Sequence, residues 1–81
     1  MAVTWEDFEV KPGATYAYVQ LADWIGEQIT AGRLEPGARL PAQRELADLT
    51  GTSVELAGRA MAVLRDRGLI ETSGKGSYVR G

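Results

Sequence analysis

The stretch that most constrains the fold runs from Arg39 to Gly58 and reads RLPAQRELADLTGTSVELAG. A helical pattern over 43–50 is followed at once by Gly51, a residue type that ends helices in the left-handed region. Ser53 then predicts the N-cap of another helix. Two short helices joined by a turn with glycine predict a helix-turn-helix, whose second helix can lie in the major groove of DNA.

The other helix starts are predicted from their first residues. Pro41 fits the first turn of the second helix, where a backbone N–H is not needed. Thr15 can cap a first helix that runs to about Ala31. Its apolar side chains recur at three- and four-residue steps and form one stripe: Tyr18, Leu21, Ala22, Ile25 and Ile29.

After the helix-turn-helix, the pattern changes to that of a hairpin. The third helix is predicted from Val54 to Arg67, and strands are predicted over 69–72 and 77–80. Glycines on both sides of Lys75 permit the positive φ of a hairpin tip. Arg39-Leu40 is a possible one-pair strand. The prediction is a mainly α fold with a small β-hairpin, a winged helix-turn-helix of three helices plus a wing, over residues 15–81.

Residues 1–14 are predicted to be a short extended arm that ends in a Pro-Gly turn. Two large aromatics, Trp5 and Phe8, are expected to dock on the body of the domain or on a second copy. Trp24 lies about 100° from the centre of the stripe on the first helix, which favours a partner surface. We therefore expect a homodimer formed through the arm and the first helix, with Trp5 and Trp24 at the contact.

Composition excludes several classes of protein. The 81 residues are enough for one domain and contain no cysteine and no histidine, so disulfides, the usual zinc sites and the usual general base are absent. No apolar run is long enough for a membrane span, and no signal peptide is recognised. We expect no cofactor, no metal, no membrane contact and a cytoplasmic location.

The net charge of −2 counts against a nucleic-acid partner, but its distribution does not. Residues 1–32 carry five acidic side chains and one basic, a net charge of −4, whereas residues 33–81 carry eight basic and six acidic, a net charge of +2. The positive excess therefore falls on the half with the helix-turn-helix. Such a mild asymmetry is also common on an ordinary solvated surface.

Several strings together resemble the DNA-binding domain of the GntR family of bacterial transcription regulators, from about Tyr18 to Val79. They are Tyr18 with Gln20-Leu21-Ala22-Asp23, the run Ile29 to Pro41, Arg44-Glu45-Leu46-Ala47, Gly51 with Ser53, Ala60 with Leu64, Gly68-Leu69-Ile70 and Gly74-Lys75-Gly76-Ser77-Tyr78-Val79. The resemblance implies a winged-helix fold, transcriptional regulation and a homodimer on an operator with two-fold symmetry. Members of the family usually carry a C-terminal effector-binding or oligomerisation domain, so the chain is expected to be an excised N-terminal domain or a naturally minimal protein.

The chain departs from the family pattern at the start of the third helix. Residues with which the family contacts DNA are replaced by Val54, Leu56 and Gly58, which cannot pair with guanine or phosphate as an arginine does. Before the second helix, Ala42-Gln43-Arg44 stands where the family has Ser-Glu-Arg, so only the arginine is kept. Glu55 adds a negative charge where phosphates would approach.

The candidate DNA contacts each have a structural alternative. Arg44 would contact phosphate or a base edge, or pair with Asp48 at i+4. Lys75 would enter the minor groove or touch the backbone, or be a solvated turn residue. Val54 would touch a thymine methyl, or be half-buried in a helix that enters no groove. The full predicted set of DNA-binding residues is Arg39, Arg44, Ser53, Val54, Glu55, Arg59 and Lys75.

Three classes of function remain to be compared. The first is a DNA-binding transcriptional regulator, expected to be a repressor, which binds operator DNA as a dimer. The second is a protein-interaction module on a winged-helix scaffold, favoured by the acidic net charge and by the lost cations of the third helix. An enzyme is the least favoured, because neither a nucleophile with an adjacent base nor a phosphate-binding loop is found.

Overall fold

The computed structural model describes residues 3–80. A short 3₁₀ turn, Trp5–Asp7, precedes three helices, α1 (Ala17–Thr30), α2 (Gln43–Thr50) and α3 (Val54–Asp66). A hairpin of β1 (Ile70–Ser73) and β2 (Gly76–Val79), which with its turn is called the wing, follows. The predicted fold class, three helices plus a wing, is confirmed. Within the described residues, no helix is long and apolar enough to cross a membrane.

The core lies where α3 packs against both α1 and α2. Four large side chains are almost fully buried, and each contributes roughly 1.5–3 kcal/mol through removal from water: Leu21, Ile25, Leu46 and Leu64. The predicted inward stripe of α3 is buried as expected at Ala57, Ala60, Met61 and Leu64. The opposite side of α3 is therefore left facing outward.

The wing is attached to the segment that precedes α2. Its two strands are antiparallel, with Ile70 opposite Val79. Arg39 forms an isolated bridge with Tyr78, and the Leu40 N–H donates to the Ser77 carbonyl at 2.8 Å, as the predicted one-pair strand requires. The wing and the start of the helix-turn-helix are thereby held in one fixed arrangement.

Two predictions about helix starts are wrong: the cap role of Thr15 and the place of Pro41 in a first turn. The N-cap of α1 is Tyr16 rather than Thr15, whose carbonyl is occupied by a hydrogen bond from the Gln20 side chain at 2.9 Å. Pro41 precedes the Ala42 N-cap of α2 and is not in the first turn. The bridge between the Arg39 segment and the wing keeps the chain extended up to that point.

The arm is not simply extended, because it contains the 3₁₀ turn and packs on its own domain. Phe8 is buried, and its ring centroid lies 5.7 Å from that of Trp24. The Trp5 and Trp24 ring centroids are 5.9 Å apart. Trp24 was expected to face a partner. It lies half-buried instead, because Trp5 and Phe8 of the same chain's arm cover this side of α1. The boundary between residues 14 and 15 stays a prediction.

Candidate nucleic-acid interface

The turn between α2 and α3 is built as the sequence predicts. Gly51 has φ of +67°, a conformation that favours glycine, and it closes α2 by donating to the Ala47 carbonyl. Ser53 is the N-cap of α3, and its Oγ accepts from the Leu56 N–H at 3.0 Å. These two local devices fix the direction in which α3 leaves the turn.

The exposed N-terminal half of α3, called the outer face, is formed by Val54, Glu55, Gly58 and Arg59. Val54 is 40% exposed, whereas a Val in the core would be covered. Arg59 Nη2 lies 3.3 Å from Glu55 Oε1, and both side chains are mostly exposed. The charge that Glu55 adds is therefore balanced within one turn of the helix, and the outer face is close to neutral.

Two tyrosines from the start of α1 border the outer face. Tyr16 and Tyr18 stack with their ring centroids 5.8 Å apart, and Tyr16 remains 72% exposed. The Arg59 guanidinium lies 5.9 Å from the Tyr18 ring centroid, within range of a cation–π contact. Arg59 is consequently held by both Glu55 and Tyr18, which orders its side chain beside the outer face.

Gln43, which the sequence did not indicate as a site residue, crosses from α2 to α3. Its Nε2 donates to the Val54 carbonyl at 2.8 Å. A Cβ placed on Gly58 would lie 2.4 Å from that nitrogen, so the carboxamide lies directly over Gly58. Two departures from the family pattern could have indicated this contact: the glycine at position 58 within the third helix and the glutamine at position 43 at the start of the second.

Arg44 is exposed near the start of α2. The alternative ion pair with Asp48 is absent from the ion pairs of residues 3–80, which involve Arg59, Arg67 and Arg80 as the cations. The guanidinium of Arg44 therefore has no acidic partner in this part of the chain.

The wing places Lys75 at its tip. The Lys75 N–H donates to Ser73 Oγ at 3.2 Å, and the Tyr78 hydroxyl donates to the Lys75 carbonyl at 3.4 Å. Of the two glycines that flank Lys75, only Gly76 takes a positive φ, +136°. The Arg39 side chain packs over Gly76, with its Nε 3.0 Å from where a Cβ would stand. Arg39 and Lys75 are thus brought to the same hairpin.

A hydroxyl network joins α3 to the wing. Arg65 Nη1 donates to Thr72 Oγ1 at 3.1 Å, and Thr72 Oγ1 lies 3.0 Å from Ser77 Oγ. Arg65 comes from the last turn of α3, where a cation also complements the helix dipole. The orientation of the wing is therefore coupled to that of α3.

The predicted site residues fall into three groups. Ser53 caps the first turns of α3, which carry Val54, Glu55 and Arg59. Lys75 lies at the tip of the wing, with Arg39 packed against the same hairpin, and Arg44 lies on α2. No hydrogen bond or ion pair joins Arg44 to the other six in the part of the chain that the structure describes. In the same residues, no cluster of acidic side chains could hold a metal ion.

Comparisons with known proteins agree on one family. Its profile, described as "Bacterial regulatory proteins, gntR family", matches residues 17–79. The HTH-type transcriptional regulator SmoD of Agrobacterium fabrum (strain C58) is 35% identical over 69 residues, which cover 84% of this chain and 30% of SmoD. The chain therefore spans less than a third of the length of that relative.

Solved structures of related proteins have the same fold as this chain. YtrA from Sulfolobus acidocaldarius, a GntR-family transcription factor, matches with a TM-score of 0.85 and 34% identity over 90% of this chain and 79% of YtrA. The crystal structure of AraR(DBD) in complex with operator ORX1 matches with a TM-score of 0.75 and 27% identity, over 82% of this chain and 81% of that one.

Proposed function

The chain belongs to the gntR family of bacterial regulatory proteins, and on that premise we propose that it is a DNA-binding transcriptional regulator. The observation that carries the proposal is the uncovered outer face of α3, held outward by Gly51 and Ser53 next to a wing with a cationic tip. The operator complex of AraR(DBD), which has the same fold, supports a duplex as the ligand. Since the chromosome lies in the cytoplasm of a bacterium, that is the proposed location.

The proposed contacts are of two kinds: contacts to phosphates, which position the protein on the duplex, and contacts to base edges, which read its sequence. Arg44, Arg39 and Lys75 would pair with phosphates, because each has a cationic group without an acidic partner among the described residues. Ser53 would cap α3 and donate its hydroxyl proton to a phosphate oxygen. Val54 would contact a thymine methyl from the tip of α3.

The two charged residues of the outer face would act as a pair. Arg59 would approach the duplex together with Glu55, so that the pair adds little net charge to the complex. This arrangement predicts that most of the electrostatic affinity comes from Arg44 and from the wing rather than from α3.

We also propose a homodimer on a two-fold operator, and repression as its outcome, because a protein bound over a promoter excludes polymerase by volume alone. The predicted dimer contact uses the arm and α1. Since Trp5 and Trp24 already pack within one chain, the proposed contact would use only their exposed edges. Sedimentation equilibrium tests this: a mass of one chain at all concentrations, with or without operator, would contradict the dimer.

The DNA-binding proposal is tested by polarisation titrations on duplexes from the protein's own promoter, at about 50 and about 200 mM salt. We expect affinity to fall with salt, and Arg44→Ala and Lys75→Ala each to lower the magnitude of the log–log slope by about 1, uniformly across sequences. Arg67→Ala is the control, because it removes a cation already paired with Asp23 at 2.7 Å.

Absence of binding, or a slope near zero, would favour the alternative function, a protein-interaction module. That alternative would also gain if regulation in cells survived the double change Arg44→Ala and Lys75→Ala. Trp5 and Trp24 give this alternative little support, because the two side chains pack on each other within one chain.

A further inference from the structure

The carboxamide of Gln43 has one bond to the protein and further hydrogen-bonding groups free. The atom 2.8 Å from the Val54 carbonyl is the amide nitrogen, since a carbonyl can only accept. That nitrogen carries a second hydrogen. Gln43 Oε1 accepts no hydrogen bond from residues 3–80, and the residue is exposed. A donor and an acceptor on one planar group thus stay available at the outer face.

This pair of groups matches adenine better than any other base. In the major groove adenine presents the N7 acceptor beside the N6 donor, and a glutamine carboxamide can bind both at once. Guanine presents two acceptors, cytosine one donor, and thymine one acceptor beside its methyl group. We infer that Gln43, fixed to the first turn of α3 and placed over Gly58, is a base-reading residue of this interface and selects an A·T pair. The inference rests on the proposed function and specifies which residue provides sequence choice.

Gly58 is required for this placement. A Cβ at that position would stand 2.4 Å from Gln43 Nε2 and 2.8 Å from Cδ, closer than such atoms pack. The neighbour that must move is the end of a flexible side chain, so the helix itself would tolerate the change. Any larger residue at 58 would therefore displace the carboxamide without unfolding the domain.

Val54 extends the same uncharged surface. Its carbonyl anchors Gln43, and its side chain is 40% exposed beside that anchor. Methyl groups at this point suit the C5-methyl of a thymine. An adenine contact from Gln43 and a thymine contact from Val54 together select A·T-rich steps without any cation.

The experiment begins with selection of the preferred site from a randomised duplex library by the unaltered chain. Each base pair of that site is then replaced in turn, and affinities are measured by polarisation for the unaltered chain, Gln43→Ala, Gly58→Ala and the double variant. Gly26→Ala is the matched control, because it is also a helical glycine but its added Cβ would meet only Leu69, at an ordinary 3.6 Å.

We expect one A·T pair per half-site whose replacement by G·C weakens the unaltered chain and Gly26→Ala roughly 5- to 150-fold. Gln43→Ala and Gly58→Ala should both lose that discrimination and no other, and the double variant should lose no more than either, because the two changes remove one contact. Gly58→Ala should melt no lower than the unaltered chain, since alanine is the better helix former.

Two results would overturn the inference; the first leaves the proposed DNA-binding function intact, and the second removes it as well. If the unaltered chain prefers particular base pairs and Gln43→Ala keeps every one of those preferences, Gln43 does not read DNA while the proposed function stands. If no duplex is bound in a salt-dependent way, the proposed function and this inference fail together.

Discussion

The outer face of α3 and the wing differ in what they can offer a duplex. On the outer face the one cation, Arg59, is paired with Glu55 and lies over Tyr18, and the other two positions, Val54 and Gly58, are uncharged. On the wing, Lys75 at the tip and Arg39 over Gly76 have no acidic partner among residues 3–80. One surface is therefore suited to reading bases and the other to holding phosphates.

This contrast between the outer face and the wing indicates that the affinity for DNA and the choice of its sequence can come from different elements. Phosphate contacts supply affinity and register, whereas base contacts supply choice. The Arg65–Thr72–Ser77 network links the two elements, so that wing contacts can fix the position of α3. Changes that alter one surface should consequently leave a distinct signature from changes to the other.

Val54→Arg should have the largest effect, because it gives the outer face of α3 an unpaired cation of the kind that the wing already carries. Affinity for duplexes should rise, and a guanine contact worth about 1–3 kcal/mol should become possible. Polarisation titrations against A·T and G·C variants of one site measure both effects. Val10→Arg, on the arm, adds the same cation at a similarly exposed valine and should change affinity little. An equal gain from both variants would show that only net charge matters.

Ser53→Ala should lower the stability on which the outer face depends. It removes the oxygen that accepts from the Leu56 N–H, and loss of such an N-cap costs about 1 kcal/mol. For a domain of this size the melting temperature should fall by about 4–8 °C, as followed by circular dichroism. Ser53→Asn retains a capping oxygen and should melt close to the unaltered chain; an equal loss in both would argue against a capping role.

Glu55→Gln should have the smallest effect of the three substitutions, and it tests whether Glu55 only neutralises Arg59. It removes an exposed i,i+4 pair, so stability should fall by only about 0.3–0.5 kcal/mol, while the freed Arg59 should bind DNA a few-fold more tightly. Glu71→Gln removes the exposed pair between Glu71 of β1 and Arg80, which directly follows β2, and is the matched change on the wing. Chemical denaturation and polarisation give the two readouts. Weaker DNA binding by Glu55→Gln would contradict a purely neutralising role for this carboxylate.

Much of the fold could be predicted because it depends on local chemistry. Gly51 and Ser53 end and begin helices through interactions with their own neighbours, so their roles were confirmed. The cap role predicted for Thr15 and the place predicted for Pro41 were wrong because each depends on a particular partner: the Gln20 side chain, five residues further on, holds the Thr15 carbonyl, and the wing, distant in sequence, holds the segment before α2.

The three helices, the hairpin and the inward stripe of α3 could all be predicted from the amino-acid sequence, since periodicity and capping act within a few residues. The DNA contacts assigned to the seven site residues remain predictions. Three features became visible only in the folded chain: Trp24 packs on the arm, Arg44 does not pair with Asp48, and Gln43 lies over Gly58. These features depend on which surfaces meet when α1, α2 and α3 pack. No local sequence pattern specifies which residues of one helix a long side chain from another helix will contact.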